Sequence, residues 1–303
     1  MLEKCFRDTR IQIGILRCRG MIIKNKSFAK RVIRETNYYN LINGYKTPFI
    51  LQTTPNERYL PGTRFEELYA LYEFDRKLRI ITLEEILKIE KRVKTLVAYC
   101  FSDNHGHRDY LRFENFDIQG AGKFLQVSKL LSDLYKKIDI NKKDAAVSHY
   151  VNGKNYVPLW VLVNAISMGD ISKFYSNMLP AERASVAKRM KWGVREQELS
   201  NILFYLSSVR NRCAHDELLY CYHSHVKMFQ NRFYKYFLTA KKDGYFSTVV
   251  AFKFLLTARE YSEYQNKLDI LFEELKSQLT TISIKKIRDI MDMPSNWKKI
   301  EML

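Results

Sequence analysis

Apolar residues in this chain recur three and four positions apart, and the residues that interrupt helices are scarce, with 11 Gly and 6 Pro in 303 residues. This spacing narrows the fold more than any other feature, because an apolar stripe with a period near 3.6 is buried as a helix face. Thr82 and Glu85 read as a capping box ahead of Ile86, Ile89, Val93, Leu96 and Val97, predicting a helix of about 18 residues. Pro158 and Gly169 bracket Leu159 to Ile166, apolar on nearly every side, so this helix is expected at the centre with Trp160 in the core. A third stripe runs Leu199, Ile202, Leu203, Leu206, Arg210, Cys213, with one arginine among apolar residues. Asp8 and Gly20 suit the two ends of a short helix over Arg10 to Arg19. Alternating strand patterns are rare, and the expected fold class is all-α.

Pro48, Pro55 and Pro61, with Asn56 and Gly62, mark a loop. It separates an N-terminal region, 1–55, from a helical core, 56–240, followed by a C-terminal helical extension, 241–303. Further loops are expected near residues 103–107 and 115–122, and Trp297, in Pro294-Ser295-Asn296-Trp297, is expected to anchor the chain end. An apolar fraction of 46% excludes a disordered chain. The most apolar window, residues 157–168, falls short of the roughly 20 residues a membrane span needs, so no membrane partner is expected. The opening Met1-Leu2-Glu3-Lys4 lacks the apolar core of a signal peptide, and five cysteines without a CxxC pair read as reduced thiols. Both point to the cytoplasm.

The net charge of +18 concerns partners more than fold, because such a surface attracts polyanions, with nucleic acid first among them. Basic clusters recur at Lys136-Lys137, Lys142-Lys143, Lys188-Arg189-Lys191, Lys241-Lys242 and Lys285-Lys286-Arg288. Near Tyr38, the aromatic and basic residues Tyr39, Tyr45 and Lys46 could stack bases and follow a phosphate backbone, although tyrosines beside a proline-rich turn also serve as core anchors.

Two familiar signatures fail on inspection. Gly120-Ala121-Gly122-Lys123 has Asp117 where a phosphate loop needs its first Gly, and Phe124 where it needs Ser or Thr. Cys213, His215, Cys221, His223 and His225 crowd one stretch, but their spacing matches no usual zinc arrangement. No metal and no cofactor are therefore expected. Arg210-Asn211-Arg212-Cys213-Ala214-His215 is the sharper candidate: an arginine and a histidine four to six intervening residues apart are the signature of HEPN ribonucleases, but a chain with this many arginines offers about one such match by chance, so context has to decide. Arg210 shares the stripe of Leu203 and Leu206, where a guanidinium needs a carboxylate or an anionic ligand. Residues five apart on a helix differ by about 140°, so Arg210 and His215 converge only if the helix ends or a second subunit completes the site. That geometry favours a symmetric homodimer.

The chain resembles the abortive-infection (Abi) proteins of the AbiD/AbiF type, bacterial anti-phage proteins with a HEPN-like helical core. The resemblance rests, in order, on Arg19-Gly20-Met21, on Tyr38-Tyr39-Asn40-Leu41-Ile42-Asn43-Gly44-Tyr45-Lys46-Thr47-Pro48-Phe49, on Leu71 to Arg79 and on Ile89-Glu90-Lys91-Arg92. It continues through Pro158-Leu159-Trp160-Val161, Met168-Gly169-Asp170-Ile171-Ser172, Val209 to His215, and Met293 to Trp297. Asn40 stands where many relatives carry Arg, so no phosphate contact is carried over to it. The resemblance implies a HEPN-like helical bundle and a dimeric, metal-independent endoribonuclease or RNA-binding toxin of phage defence, some relatives being restrained, in toxin-antitoxin fashion, by a structured noncoding RNA.

The residue chemistry suits such a reaction. RNA supplies its own nucleophile, the 2′-hydroxyl. His215 can move the proton, Arg210 can stabilise charge on the phosphoryl oxygens, Asn211 can orient either group, and Arg212 can hold a neighbouring phosphate. The products would be a 2′,3′-cyclic phosphate and a 5′-hydroxyl. The alternative is a non-catalytic protein whose basic surface holds a structured RNA.

Overall fold

A computed structural model describes residues 6–190 and 193–303; residues 1–5 and 191–192, including Lys191 of one basic cluster, lie outside the described residues. The architecture is all-α. Three helices, α1 (Thr9–Cys18), α2 (Lys26–Thr36) and α3 (Tyr38–Tyr45), precede a short antiparallel ribbon of β1 (Ile50–Gln52) and β2 (Arg58–Tyr59) within the proline-rich stretch. The central helix α4 (Phe65–His105) follows, then α5 (Lys123–Ile140), α6 (Ala145–Lys154), α7 (Leu159–Ala165), α8 (Met168–Asn177), α9 (Pro180–Arg189) and α10 (Glu196–Ala214). The chain closes with α11 (Arg232–Tyr236), α12 (Phe246–Leu255), α13 (Ala258–Gln278) and α14 (Ile284–Ile290).

Helix α4 organises the rest. Its 41 residues span about 60 Å at 1.5 Å per residue. Helices α3, α7, α8, α9, α10 and α13 all pack against it. Buried Leu68, Leu71, Phe74 and Leu78 carry the apolar period without a break into Ile86, Ile89 and Val93. Thr82 and Glu85 are therefore not a helix start, contrary to the sequence pattern. Thr82 is buried mid-helix, with its hydroxyl 2.7 Å from that of Tyr245, and Glu85 pairs with Lys88 at 2.8 Å. A Thr-x-x-Glu pattern caps only where the preceding residue leaves the helix, and here the preceding residues are helical.

The expected end residues of α1 hold, since the Asp8 carboxylate accepts the Arg10 and Ile11 N–H groups. The apolar stretch after Pro158 differs from expectation. Helix α7 stops at Ala165, Ser167 caps α8 through a capping box with Asp170, and Gly169 lies inside α8. One side of α7 stays open, leaving Trp160 49% exposed instead of in the core. Trp297 is buried and sits 6.1 Å from the Phe272 ring, anchoring the chain end as expected.

One hydrophobic core runs from Ile13 to Ile300, continuous across residues 55 and 240. Glu67, in the first turn of α4 and fully buried, ties the C-terminal segment to it by accepting both the N–H and the hydroxyl of Thr280 and of Thr281. Burial pushes this carboxyl up, and the four donors outweigh burial and hold it below the usual carboxylate range. Glu67→Ala should cost about 1–3 kcal/mol, because it leaves buried donors unpaired. In the native chain this contribution is present above the ordinary carboxylate value and disappears as pH falls below it. Urea melts of both proteins from pH 7 to pH 3 check this: the gap between them should narrow on acidification.

Candidate functional site at the end of helix α10

The site is built where α10 stops. Leu199, Ile202, Leu203, Leu206 and Val209 bury one face of α10 against α4 and α8, and the helix ends when Asp216 adopts a left-handed conformation at φ 56°. The Glu217 N–H then reaches back to the Arg212 carbonyl, closing the last turn. Asp stands there instead of Gly because its carboxylate is used: Arg79 Nη2 donates to Asp216 Oδ1 at 2.5 Å.

Arg79 belongs to a buried network that the sequence motifs do not announce. Asp75, one turn earlier on α4, is completely buried and accepts from Arg79 Nη1 at 2.6 Å, from the Tyr45 hydroxyl at 2.8 Å and from the Tyr220 N–H at 2.7 Å. The Leu219 N–H donates to the same carboxylate at 3.2 Å. Helices α3 and α4 and the segment after α10 are thus pinned at one point. Gly44 lets them close up, since a Cβ there would lie 3.1 Å from Leu218 Cδ2, and its carbonyl accepts the Tyr220 hydroxyl. The spacing of Asp75 and Arg79, four apart on one helix face, was the available signal.

These segments enclose a cleft of about 520 Å³, lined by Tyr39, Asn40, Asn43, Tyr45, Tyr72, Arg79, Arg212, His215, Asp216 and Glu217 among others. Four residues expected from sequence to act on RNA, Tyr39, Tyr45, Arg212 and His215, therefore meet here. Their surroundings differ. Tyr39 is 68% exposed and shares a face of α3 with Asn43, so its ring is open to a base. Tyr45 is only 3% exposed and stacks on Tyr220 at 5.6 Å, so it forms floor and cannot serve as the expected stacking platform. Arg212 pairs with Glu217 at 2.9 Å and lies 4.2 Å over the Tyr222 ring. His215 caps α10 with its side chain exposed.

Three expected residues, Lys46, Arg210 and Asn211, lie elsewhere. Lys46 Nζ is 2.5 Å from Glu57, which also holds Arg19, so its charge is already paired outside the cleft. Arg210 turns towards Glu90 of α4, with Nε and Oε2 3.7 Å apart and neither hydrogen-bonded among the described residues. Arg210 is half-buried, whereas Asn211 is exposed and its carbonyl accepts the His215 N–H. On the helix wheel Arg210 and His215 lie about 140° apart, and the sector between them holds exposed Phe204, Asn211 and Ala214. Arg210 and His215 therefore flank an open stripe of α10 instead of meeting within one protomer.

The cysteine and histidine residues of this stretch do not gather either. Cys213 is buried, His225 is exposed, and of the five only His223 belongs to a cluster of three potential ligands among the described residues. Burial pushes the Cys213 thiol up to about 12.

Fold and site together define an α-helical protein whose polar, arginine-bearing cleft lies at the C-terminal end of one helix. The family profile described as "Abi-like protein" matches residues 31–221, and the chain belongs to that family. The matched span contains α3, α4, α10 and every residue that pins the cleft. Membership gives it a role in abortive infection, a form of phage defence. A search of curated proteins and one of solved structures each found no match.

Asp75→Ala should destabilise the fold by about 3–5 kcal/mol, as expected when one partner of a buried ion pair is removed, and a denaturant melt measures it. Iodoacetamide at neutral pH should label exposed Cys18 and leave Cys213 untouched until the protein unfolds, read by peptide mass spectrometry.

Proposed function

We propose that this Abi-like protein is a phage-defence toxin acting as a metal-independent HEPN-type endoribonuclease, assembled from two copies along the open stripe of α10. The observation that carries this reading is the placement of Arg210 and His215 on opposite borders of the stripe, with Asn211 exposed between them. Two copies packed α10 against α10 set each protomer's Arg210 across the seam from the other protomer's His215.

RNA crosses this composite site and continues into the cleft beside Tyr39, drawn by the excess positive charge. His215 accepts the 2′-hydroxyl proton or donates one to the departing 5′-oxygen, and Arg210 binds the non-bridging oxygens as charge grows at phosphorus. Asn211 holds the phosphate or imidazole in line, and Arg212 meets an adjoining phosphate. The 2′-oxygen attacks phosphorus, the P–O5′ bond breaks, and a 2′,3′-cyclic phosphate remains on one fragment with a 5′-hydroxyl on the other.

The contact of Arg210 with Glu90 favours a second reading, in which Arg210 braces α10 on α4 and the protein only holds RNA. Purified protein incubated with single-stranded RNA separates the two. Under the nuclease reading, His215→Ala lowers the cleavage rate about 10²–10⁴-fold and leaves RNA binding nearly intact. A 2′-deoxy residue at the scissile position blocks cutting, and mass spectrometry finds cyclic-phosphate ends. Intact RNA with the wild-type protein, together with toxicity unaffected by His215→Ala, would establish the holding role instead. Phe204→Asp, on the stripe near its His215 border, should shift the protein from dimer to monomer in sedimentation and abolish cleavage with it.

A further inference from the structure

We infer that His223, Asp243 and Asp292 form a site for one divalent cation of the zinc class, remote in role from RNA and joining the segment after α10 to the end of α14. His223 Nδ1 lies 3.4 Å from Asp243 Oδ1 and 3.1 Å from Asp292 Oδ2, and the three donor atoms all fall within 4.8 Å of one another. Two ligands bound at 2.0–2.1 Å with a tetrahedral angle stand about 3.3 Å apart, so these separations suit a single ion between them. One imidazole and two carboxylates make a neutral set with a divalent metal and leave a fourth position for water.

Asp292 supplies an independent observation. Its side chain is only 8% exposed, and its buried Oδ2, although 3.1 Å from His223 Nδ1, makes no well-directed hydrogen bond among the described residues. The residue sits at φ 54°, at the end of α14, where the Met293 N–H returns to the Arg288 carbonyl and the Asp292 N–H to that of Asp289. That turn ordinarily takes Gly or Asn. A carboxylate there is opposed both by burial and by the negative end of the helix dipole, so it needs a cation. Asp216 ends α10 in the same conformation, and its cation is Arg79. At Asp292 the candidates are His223 and Lys241, whose Nζ is 3.4 Å from Oδ1 on a side chain 67% exposed and free to withdraw.

The surrounding backbone is preset. The Ser224 N–H donates to the Asp243 carbonyl and the Tyr245 N–H to that of Met291, so the three ligand-bearing segments are already fixed to one another. Gly244 makes room, since a Cβ there would come within 2.7 Å of Asp292 Cβ.

The test uses the full chain, stripped with chelator and dialysed. Titration with Zn²⁺ by calorimetry should show one ion per protomer, and Co²⁺ in its place should give the visible absorption of a tetrahedral complex. His223→Ala and Asp243→Asn, both on accessible side chains, should each weaken Zn²⁺ by more than the roughly 10–100-fold that loss of an outer-shell partner costs. Cys221→Ser should bind as the wild type does. Absence of one-to-one binding overturns the inference, as does binding that survives both ligand variants or is lost in Cys221→Ser. A fold stabilised by acid instead of by Zn²⁺ would likewise overturn it, marking His223 as a protonated partner of the two aspartates. None of these readouts depends on RNA cleavage, so failure of the nuclease reading leaves them intact.

Discussion

The buried carboxylate of Asp75 is the interaction on which the site depends. A carboxylate taken wholly out of water survives only with its lone pairs filled, and here a guanidinium, a phenol and two backbone N–H groups fill them. Tyr45 comes from α3 and Leu219 and Tyr220 from the irregular segment after α10, while Arg79, on α4 with Asp75, reaches on to Asp216 at the end of α10. The position of the α10 terminus is therefore set by electrostatic satisfaction as much as by apolar packing. The cleft is the space those attachments leave.

Charge is used in two distinct ways in this protein. At buried and half-buried positions, arginines and lysines are paired with carboxylates, as in Arg79 with Asp75 and Asp216 or Lys46 and Arg19 with Glu57. Outside, the surplus of 18 positive charges has no such matches to make and acts through its field. Arg210 stands between these cases, since its contact with Glu90 is too long for a hydrogen bond while its side chain keeps 28% of its exposure. A guanidinium in that state retains donors for an anion.

Much of the fold was legible from the period of the apolar residues, because each helix buries one face and that requirement is local. The stripe on α10, the Asp8 cap of α1 and the anchoring role of Trp297 could all be read this way. The errors share a cause. Thr82 looked like a cap because the pattern around it fits one, yet the core on both sides of it is a single layer that keeps the helix going. Trp160 looked buried because its neighbours are apolar, but α7 is too short to be surrounded. For the site, the motif from Arg210 to His215 was visible, as was the aromatic run near Tyr39. Asp75, Arg79 and Gly44 lay within the motifs of the Abi resemblance but carried no role, because their roles arise from contacts with residues more than a hundred positions away.

By itself the sequence determined that the chain is helical, strongly basic and shaped like an Abi protein, since periodicity, net charge and motif order are properties of the string. Only the tertiary structure decided that Tyr45 is floor while Tyr39 is surface, that Lys46 is already paired, and that Arg210 and His215 border one open stripe. Those outcomes depend on which side of a helix meets the core, and on whether a counter-charge is within reach. Neither is written in the order of residues until distant segments are brought together around α4.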